Sequence, residues 1–273
     1  MLSRRRFMAS KPEILILTGY GVNCEAESMF AWKMAGAKPQ MVHLHDLLER
    51  PALLAQSKAL MFIGGFSFGD HMGSGEVLAL RLRSRAKDEI CNFIRNGNLV
   101  LGVCNGFQVM VKLGLLPGFD GDYLSRKITL THNDCGVFQN FWINLGFESK
   151  CPCIFTRGLK TMPLPIRHGE GKIITLDKTV LDRIEKEKCV VCRYIDAQTL
   201  KPTMRFPDNP NGSLNSIAGL CDSTGKVFGL MPHPEAYLFA ENHPQWQKQK
   251  NDGKLPKHGL GLKIFQNAVE YLS

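Results

Sequence analysis

Three short runs that are apolar at every position, Ile14-Leu15-Ile16-Leu17, Ala59 to Ile63 and Leu99 to Val103, constrain the fold of this 273-residue chain more than any other feature. A strand with one face in water alternates apolar and polar side chains. A run with no polar position has both faces covered, as in a parallel sheet held between layers of helices. Helical periods separate the runs. Asn23 is the expected N-cap of a helix that places Ala26, Met29, Phe30 and Met34 on one face before Gly36 ends it. Leu78, Leu82, Ala86, Ile90, Phe93 and Ile94 mark one longer helix with Arg and Lys facing outward. Strand alternating with helix in this way predicts an α/β doubly wound sheet with right-handed crossovers.

From about Phe138 to Tyr194 the period changes to two, as in Phe141, Ile143, Leu145 and Phe147, with a short helix over Thr179 to Lys188. That half is expected to be an antiparallel, peripheral segment. Val227 to Met231 reads as a further buried strand, Glu241 to Lys257 as a long polar loop, and Gly259 to Leu272 as a closing helix. No internal repeat or linker divides the chain, so one domain over residues 11–273 is expected, behind a disordered tail of residues 1–10.

With 44% hydrophobic and 22% charged residues, the composition excludes a disordered or low-complexity chain. The nine cysteines are odd in number, scattered, and preceded by no signal peptide, which suggests free thiols in a reducing compartment. Cys151-x-Cys153 and Cys189-x-x-Cys192 have the count for a four-sulfur zinc site, but their flanks read as strands rather than zinc-knuckle turns, so no metal is expected. The formal charge of +9 favours an anionic partner or substrate. Its basic runs carry no aromatic platform, and nucleic acid is not the expected partner. Ser3-Arg4-Arg5-Arg6-Phe7 superficially matches an export signal, yet Lys11 and Glu13 interrupt the apolar region such a signal needs. No stretch approaches a membrane-spanning length, so a soluble, cytoplasmic chain is expected.

The chemistry concentrates where strands end. Leu99 to Val103 runs into Gly102-Val103-Cys104-Asn105-Gly106 and then a helix. Small residues on both sides of a nucleophile allow a sharp strand-to-helix turn that exposes its side chain, and the helix N-terminus favours an anion there. Val227 to Met231 leads into Pro232-His233-Pro234-Glu235. The proline holds His233 extended, so Glu235 falls on the same side of the backbone and can orient the imidazole toward a thiol. Phe62-Ile63-Gly64-Gly65-Phe66-Ser67-Phe68-Gly69-Asp70 offers backbone N–H groups for close approach to a ligand, either an oxyanion or a phosphate. Gly19-Tyr20-Gly21-Val22-Asn23-Cys24 is an incomplete dinucleotide fingerprint, and the chain contains no Walker A sequence.

Together with His168-Gly169-Glu170-Gly171 and Asn209-Pro210-Asn211-Gly212-Ser213, and in the same order, these motifs resemble the class I glutamine amidotransferase domain of phosphoribosylformylglycinamidine synthases. The resemblance runs from about Pro12 to Leu272. It implies a flavodoxin-like, mostly parallel sheet and a triad glutaminase of purine biosynthesis with Cys104 as nucleophile, His233 as acid and base, and Glu235 as its orienter. It further implies oxyanion donors at the Gly65 and Asn105 amides, glutamine contacts at Gln108, Phe66, Asn133 and Phe138, and support of the pocket or partner surface by His168 and Glu170. Cys135, Val137 and Gln139 depart from the Ser, Arg and Glu usual in that segment. No cofactor is implied for this chain; ATP and Mg belong to a synthase partner that receives ammonia from glutamine. The family occurs as a free subunit and as part of a longer chain; the extent of this sequence resembles the small subunit, while its His243-Pro244 and Trp246 tail is more like the fused form. The competing readings are a catalytically silent regulatory or binding subunit, and a thiol hydrolase on the same fold that needs no partner.

Overall fold

A computed structural model describes residues 10–273; the expected tail, residues 1–10, lies outside the described residues except for Ser10. In chain order the first half comprises β1 (Glu13–Thr18), α1 (Glu25–Ala35), β2 (Lys38–His43), α2 (Leu44–Glu49), β3 (Ala59–Phe62), α3 (Glu76–Arg85), α4 (Lys87–Arg95), β4 (Leu99–Val103) and α5 (Asn105–Leu113). The second half comprises β5 (Ile128–His132), β6 (Gln139–Phe147), β7 (Thr161–His168), β8 (Glu170–Thr175), α6 (Lys178–Lys186), β9 (Val190–Tyr194), β10 (Ile217–Cys221), β11 (Val227–Leu230), α7 (Trp246–Asn251) and α8 (Leu262–Leu272).

Nine strands form one sheet in the order β2-β1-β3-β4-β11-β10-β9-β6-β7, and β5 pairs with β8 apart from it. The strands from β2 to β11 run parallel, and those from β10 to β7 are antiparallel. The all-apolar runs become β1, β3 and β4, and β3, β4 and β11 are buried at every residue, as two-sided burial requires. Helix α1 closes on α8 through Trp32, which is wholly buried edge-on against Phe265 with centroids 5.2 Å apart. Its indole N–H donates to Met61 Sδ at 3.1 Å.

The expected doubly wound fold with an antiparallel segment is what the chain adopts; that segment forms one flank of the same sheet. Four local expectations differ. Leu78 to Ile94 is not one helix: buried Ala86 leaves helical geometry at φ −134°, so α3 packs on α5 while α4 packs on the turn Pro51–Gln56. The helix expected after Asn23 begins one residue later, with Cys24 in the capping position and no side-chain cap. Within the polar segment Glu241 to Lys257, Trp246–Asn251 is helical although it buries nothing. Strand β2, with sequence Lys-Pro-Gln-Met-Val-His, was not expected; it is an edge strand with a single buried side chain, where proline is tolerated and no apolar run is needed.

Because β1, β3, β4 and β11 are parallel, the loops that leave their C-terminal ends share one edge of the sheet. Ligands of open α/β sheets bind along that edge.

Candidate active site

Cys104 follows β4 directly, and its backbone has φ 51° and ψ −110°, a region non-glycine residues rarely adopt. The turn needs both flanking glycines for space. A Cβ on Gly102 would lie 2.2 Å from Met110 Sδ, and one on Gly106 would lie 1.9 Å from the Phe62 carbonyl oxygen. Helix α5 starts at Asn105, so its first amides have no intrahelical acceptor and face the turn.

The strands on either side of β4 supply the other groups, since β3 leads into Gly64-Gly65 and β11 leads into Met231-Pro232-His233. His233 Nδ1 donates to Glu235 Oε1 at 2.6 Å, with both side chains buried. A carboxylate only accepts, so its position assigns the hydrogen to Nδ1. Burial works against the charged imidazolium of His233, but the Glu235 carboxylate and the Cys104 and Cys24 thiols outweigh it and hold its pKa well above the usual histidine value. Among the described residues His233 Nε2 has no hydrogen-bond partner. Cys104 Sγ meanwhile donates to the Arg167 carbonyl at 3.5 Å, and His233 N–H donates to the Pro165 carbonyl at 2.9 Å. Strand β7 of the antiparallel half therefore closes the site from the side.

Gly65, at φ +140°, bridges to Val22 through hydrogen bonds from Asn23 N to Gly64 O and from Phe66 N to Gly21 O, which leave its own amide unused. The Asn105 side chain ties this loop to α5: Oδ1 accepts from Ser67 N at 3.2 Å, and Nδ2 donates to Asp70 at 3.1 Å and to Gln108 Oε1 at 3.0 Å. The Gly64-Gly65 loop is thus tied to the start of α5, next to Cys104.

A cavity of about 200 Å³ opens beside Cys104, lined by Asn23, Cys24, Glu27, Gly65, Phe66, Cys104, Phe138, Arg167 and His233. Five residues named from sequence meet there: Cys104, His233, Gly65, Phe66 and Phe138. The two phenyl rings, centroids 6.2 Å apart, stand half-exposed at its mouth. Gln108 and Asn133, expected to touch the ligand, do not line this cavity, and protein groups take up their amides. Gln108 Nε2 donates to the Glu170 carbonyl at 2.5 Å, and Asn133 Nδ2 donates to the carbonyls of His168 and Val137. His168 and Glu170, expected to support the pocket or partner surface, are both held by hydrogen bonds. His168 Nδ1 pairs with Asn133 Oδ1 at 3.2 Å, and Glu170 Oε2 accepts from Ser74 N at 3.3 Å. Burial, with the nearby His233 charge, pushes the His168 pKa down to about 3. Asn209-Pro210-Asn211-Gly212-Ser213 packs beneath, with Ser213 Oγ donating to the Gly171 carbonyl and accepting from Ile173 N. The departing segment is exposed, and Gln139 Nε2 lies 3.1 Å from Cys135 Sγ.

Sequence reasoning missed four wall residues: Asn23, Cys24, Glu27 and Arg167. The first three follow β1, whose loop shares the C-terminal edge, and that placement was the available signal. Arg167 had none, because only the tertiary fold brings β7 against the His233 segment, where Pro165 O accepts from His233 N.

The CobB/CobQ-like glutamine amidotransferase domain family matches residues 11–272. Phosphoribosylformylglycinamidine synthase subunit PurQ of Methanococcus maripaludis is 39% identical over 268 residues, spanning 96% of this chain and 98% of its own length. The PurQ subunit of Dehalococcoides mccartyi is 40% identical over 262 residues, with 96% and 98% covered. The chain belongs to the PurQ family of glutamine amidotransferases. A chain in the structure of PurLQS from Thermotoga maritima superposes with a TM-score of 0.70 at 28% identity, covering 96% of this chain and all of its own. The glutaminase domain of Trypanosoma brucei CTPS with bound acivicin shares the fold, at a TM-score of 0.53 and 13% identity. The PurQ-family fold thus sets Cys104, His233 and the Gly65 loop on three adjacent strand ends. Among the described residues no helix is long and apolar enough to cross a membrane.

Proposed function

We propose that this chain is the glutaminase component of a phosphoribosylformylglycinamidine synthase, hydrolysing glutamine to glutamate and ammonia for amidation of formylglycinamide ribonucleotide on a partner. The observation that carries the reading is Cys104 at a positive-φ strand-to-helix turn, between the His233–Glu235 pair and the free Gly65 amide. The Cys104 thiolate attacks the side-chain carboxamide carbon of glutamine, and the oxyanion is held by the Gly65 and Asn105 N–H groups. His233 gives its proton to the departing ammonia, leaving a γ-glutamyl thioester. His233 then takes a proton from water, which attacks the thioester; glutamate leaves and the thiol is restored. Glu235 does not take the proton; it fixes the ring and stabilises the imidazolium. Phe66 and Phe138 screen the mouth, and ATP with its Mg is placed on the synthase partner.

A glutamine-analogue diazoketone tests the site in the isolated chain. Intact mass is expected to show one adduct on wild type that excess glutamine prevents and that Cys104→Ser abolishes; an adduct persisting in Cys104→Ser would overturn the assignment. With the partner present, Cys104→Ser is expected to abolish glutamine-dependent amidation while sparing amidation from ammonium salts.

A further inference from the structure

One thiol in the cavity has no part in the reaction derived above. Cys24 lies against the same imidazole as Cys104, and its Sγ makes a long contact of 3.6 Å to Asn23 Oδ1. Burial and the Glu235 charge push its pKa up to about 11, so at neutral pH it is a protonated thiol and no second nucleophile.

Its neighbours are what single it out. One sulfur of Cys24, one ring nitrogen of His233 and one carboxylate oxygen of Glu235 all lie within 4.8 Å of one another, and among the described residues this is the only such group of three metal-ligating side chains. All three are buried, yet His233 Nε2 and Glu235 Oε2 have no partner. Buried carboxylate oxygens and imidazole nitrogens are nearly always satisfied, so an unpartnered ring nitrogen and an unpartnered carboxylate oxygen beside a thiol are exceptional. Gly64 keeps the group open: a Cβ there would lie 2.9 Å from His233 Cε1 and 3.0 Å from Cys24 Sγ, although its backbone does not require glycine. Cys24 and His233 both line the cavity, so an ion has a way in.

Resting on the glutaminase reading for its consequence, we propose that Cys24, His233 and Glu235 form a site for a thiophilic divalent cation of the zinc type, whose occupation switches off hydrolysis. A sulfur, nitrogen and oxygen set suits zinc, with three protein ligands and an open fourth position. On binding, the Cys24 S–H bond and the N–H bond of the coordinating His233 nitrogen break, both protons go to solvent, and sulfur–metal and nitrogen–metal bonds form; the cation reverses the local cost of a thiolate beside Glu235. The ion takes one nitrogen of His233, and the reaction needs both: Nδ1 for Glu235 and Nε2 for proton transfer at the sulfur. A cation on this trio leaves Cys104 without its base.

Zinc alone is the probe, and binding is measured without turnover. In the Cys104→Ser chain, titration against a chromophoric chelator is expected to show one equivalent of tightly held zinc. Adding Cys24→Ala is expected to weaken that equivalent at least tenfold. Cobalt in the same chain is expected to give a near-ultraviolet thiolate-to-metal band that Cys24→Ala removes. Cys24→Ser serves as a second variant should Cys24→Ala fail to melt cooperatively. Equal zinc affinity with and without Cys24, in folded protein, overturns the site. In a separate arm, zinc is expected to inhibit wild-type glutaminase, with relief by chelator. Cys24→Ala is expected to shift the inhibition midpoint at least tenfold relative to its own metal-free rate. Zinc bound through Cys24 in a chain that never hydrolyses glutamine would sink the glutaminase reading and leave the site standing.

Discussion

At the scale of single residues, the side chains that do chemistry are held by partners whose removal has definite consequences. His168 is the sharpest case. It is buried and neutral, its Nδ1 faces Asn133, and its pKa is depressed to about 3 against an ordinary value near 6.5. Between those two pH values the unfolded chain binds a proton at this position that the folded chain does not. Stability from this group is therefore complete above about pH 6.5 and falls as pH falls toward 3. On going from pH 7 to pH 5 the loss is about 2 kcal/mol, since 1.5 pH units at 1.36 kcal/mol each separate pH 5 from the unfolded pKa. Urea midpoints at both pH values check it: wild type is expected to lose about 2 kcal/mol more than His168→Gln over this interval, and equal losses would contradict the buried neutral state. The same scale shows what the sequence could reveal. Cys104, His233 and Glu235 were legible because each follows an all-apolar strand and carries its spacing locally. The positions of Gln108 and Asn133 were not, because whether an amide faces a ligand or a carbonyl depends on Glu170, His168 and Val137, which lie distant in sequence or around a turn.

At the scale of elements, burial on both faces explains both the successes and the failures of prediction. Strands β1, β3, β4 and β11 announce themselves because no polar side chain has anywhere to point. Strand β2 has solvent along one edge and a single buried side chain, so it lacks that signature. The break at Ala86 is equally silent, since Leu82, Ala86 and Ile90 keep a helical period across it and the cause is the separate surfaces that α3 and α4 cover. Helix α1 carries part of the site: its loop supplies Cys24, its first turn supplies Glu27, and Trp32 anchors it to the sheet at Met61 and to α8 at Phe265. Trp32→Ala removes a fully buried side chain that the surrounding strands and α8 cannot collapse to replace, so a loss of about 3–5 kcal/mol is expected. Urea unfolding measures it. Because the site loop enters α1 within two turns of Trp32, the diazoketone adduct is expected to form more slowly in this variant even where it is folded. An adduct rate equal to wild type would mean that the loop is positioned by Gly65 and Val22 alone.

At the scale of the whole molecule, the candidate site is a seam. The parallel half supplies the nucleophile, the base and the oxyanion loop, while the antiparallel half supplies Arg167, His168 and Phe138 through β7 and the turn before β6. Two features along the seam are unsuited to turnover by the chain alone. Cys104 Sγ donates to the Arg167 carbonyl rather than to His233 Nε2, and the aromatic pair that screens the cavity, Phe66 and Phe138, stands 45% and 50% exposed. The first turns the thiol toward a β7 carbonyl as well as toward the imidazole; the second leaves water access to a reaction in which hydrolysis without a recipient wastes glutamine. A partner that covers the mouth and presses on β7 would correct both together. Glutaminase turnover is therefore expected to be low in the isolated chain and to rise at least tenfold when the synthase partner is added, mainly in kcat, because the change assembles the catalytic bond rather than the glutamine contacts. Steady-state ammonia release with and without synthase checks this. A rise confined to KM would mean that the partner completes the glutamine pocket instead, and equal turnover would mean that the seam is already in working order.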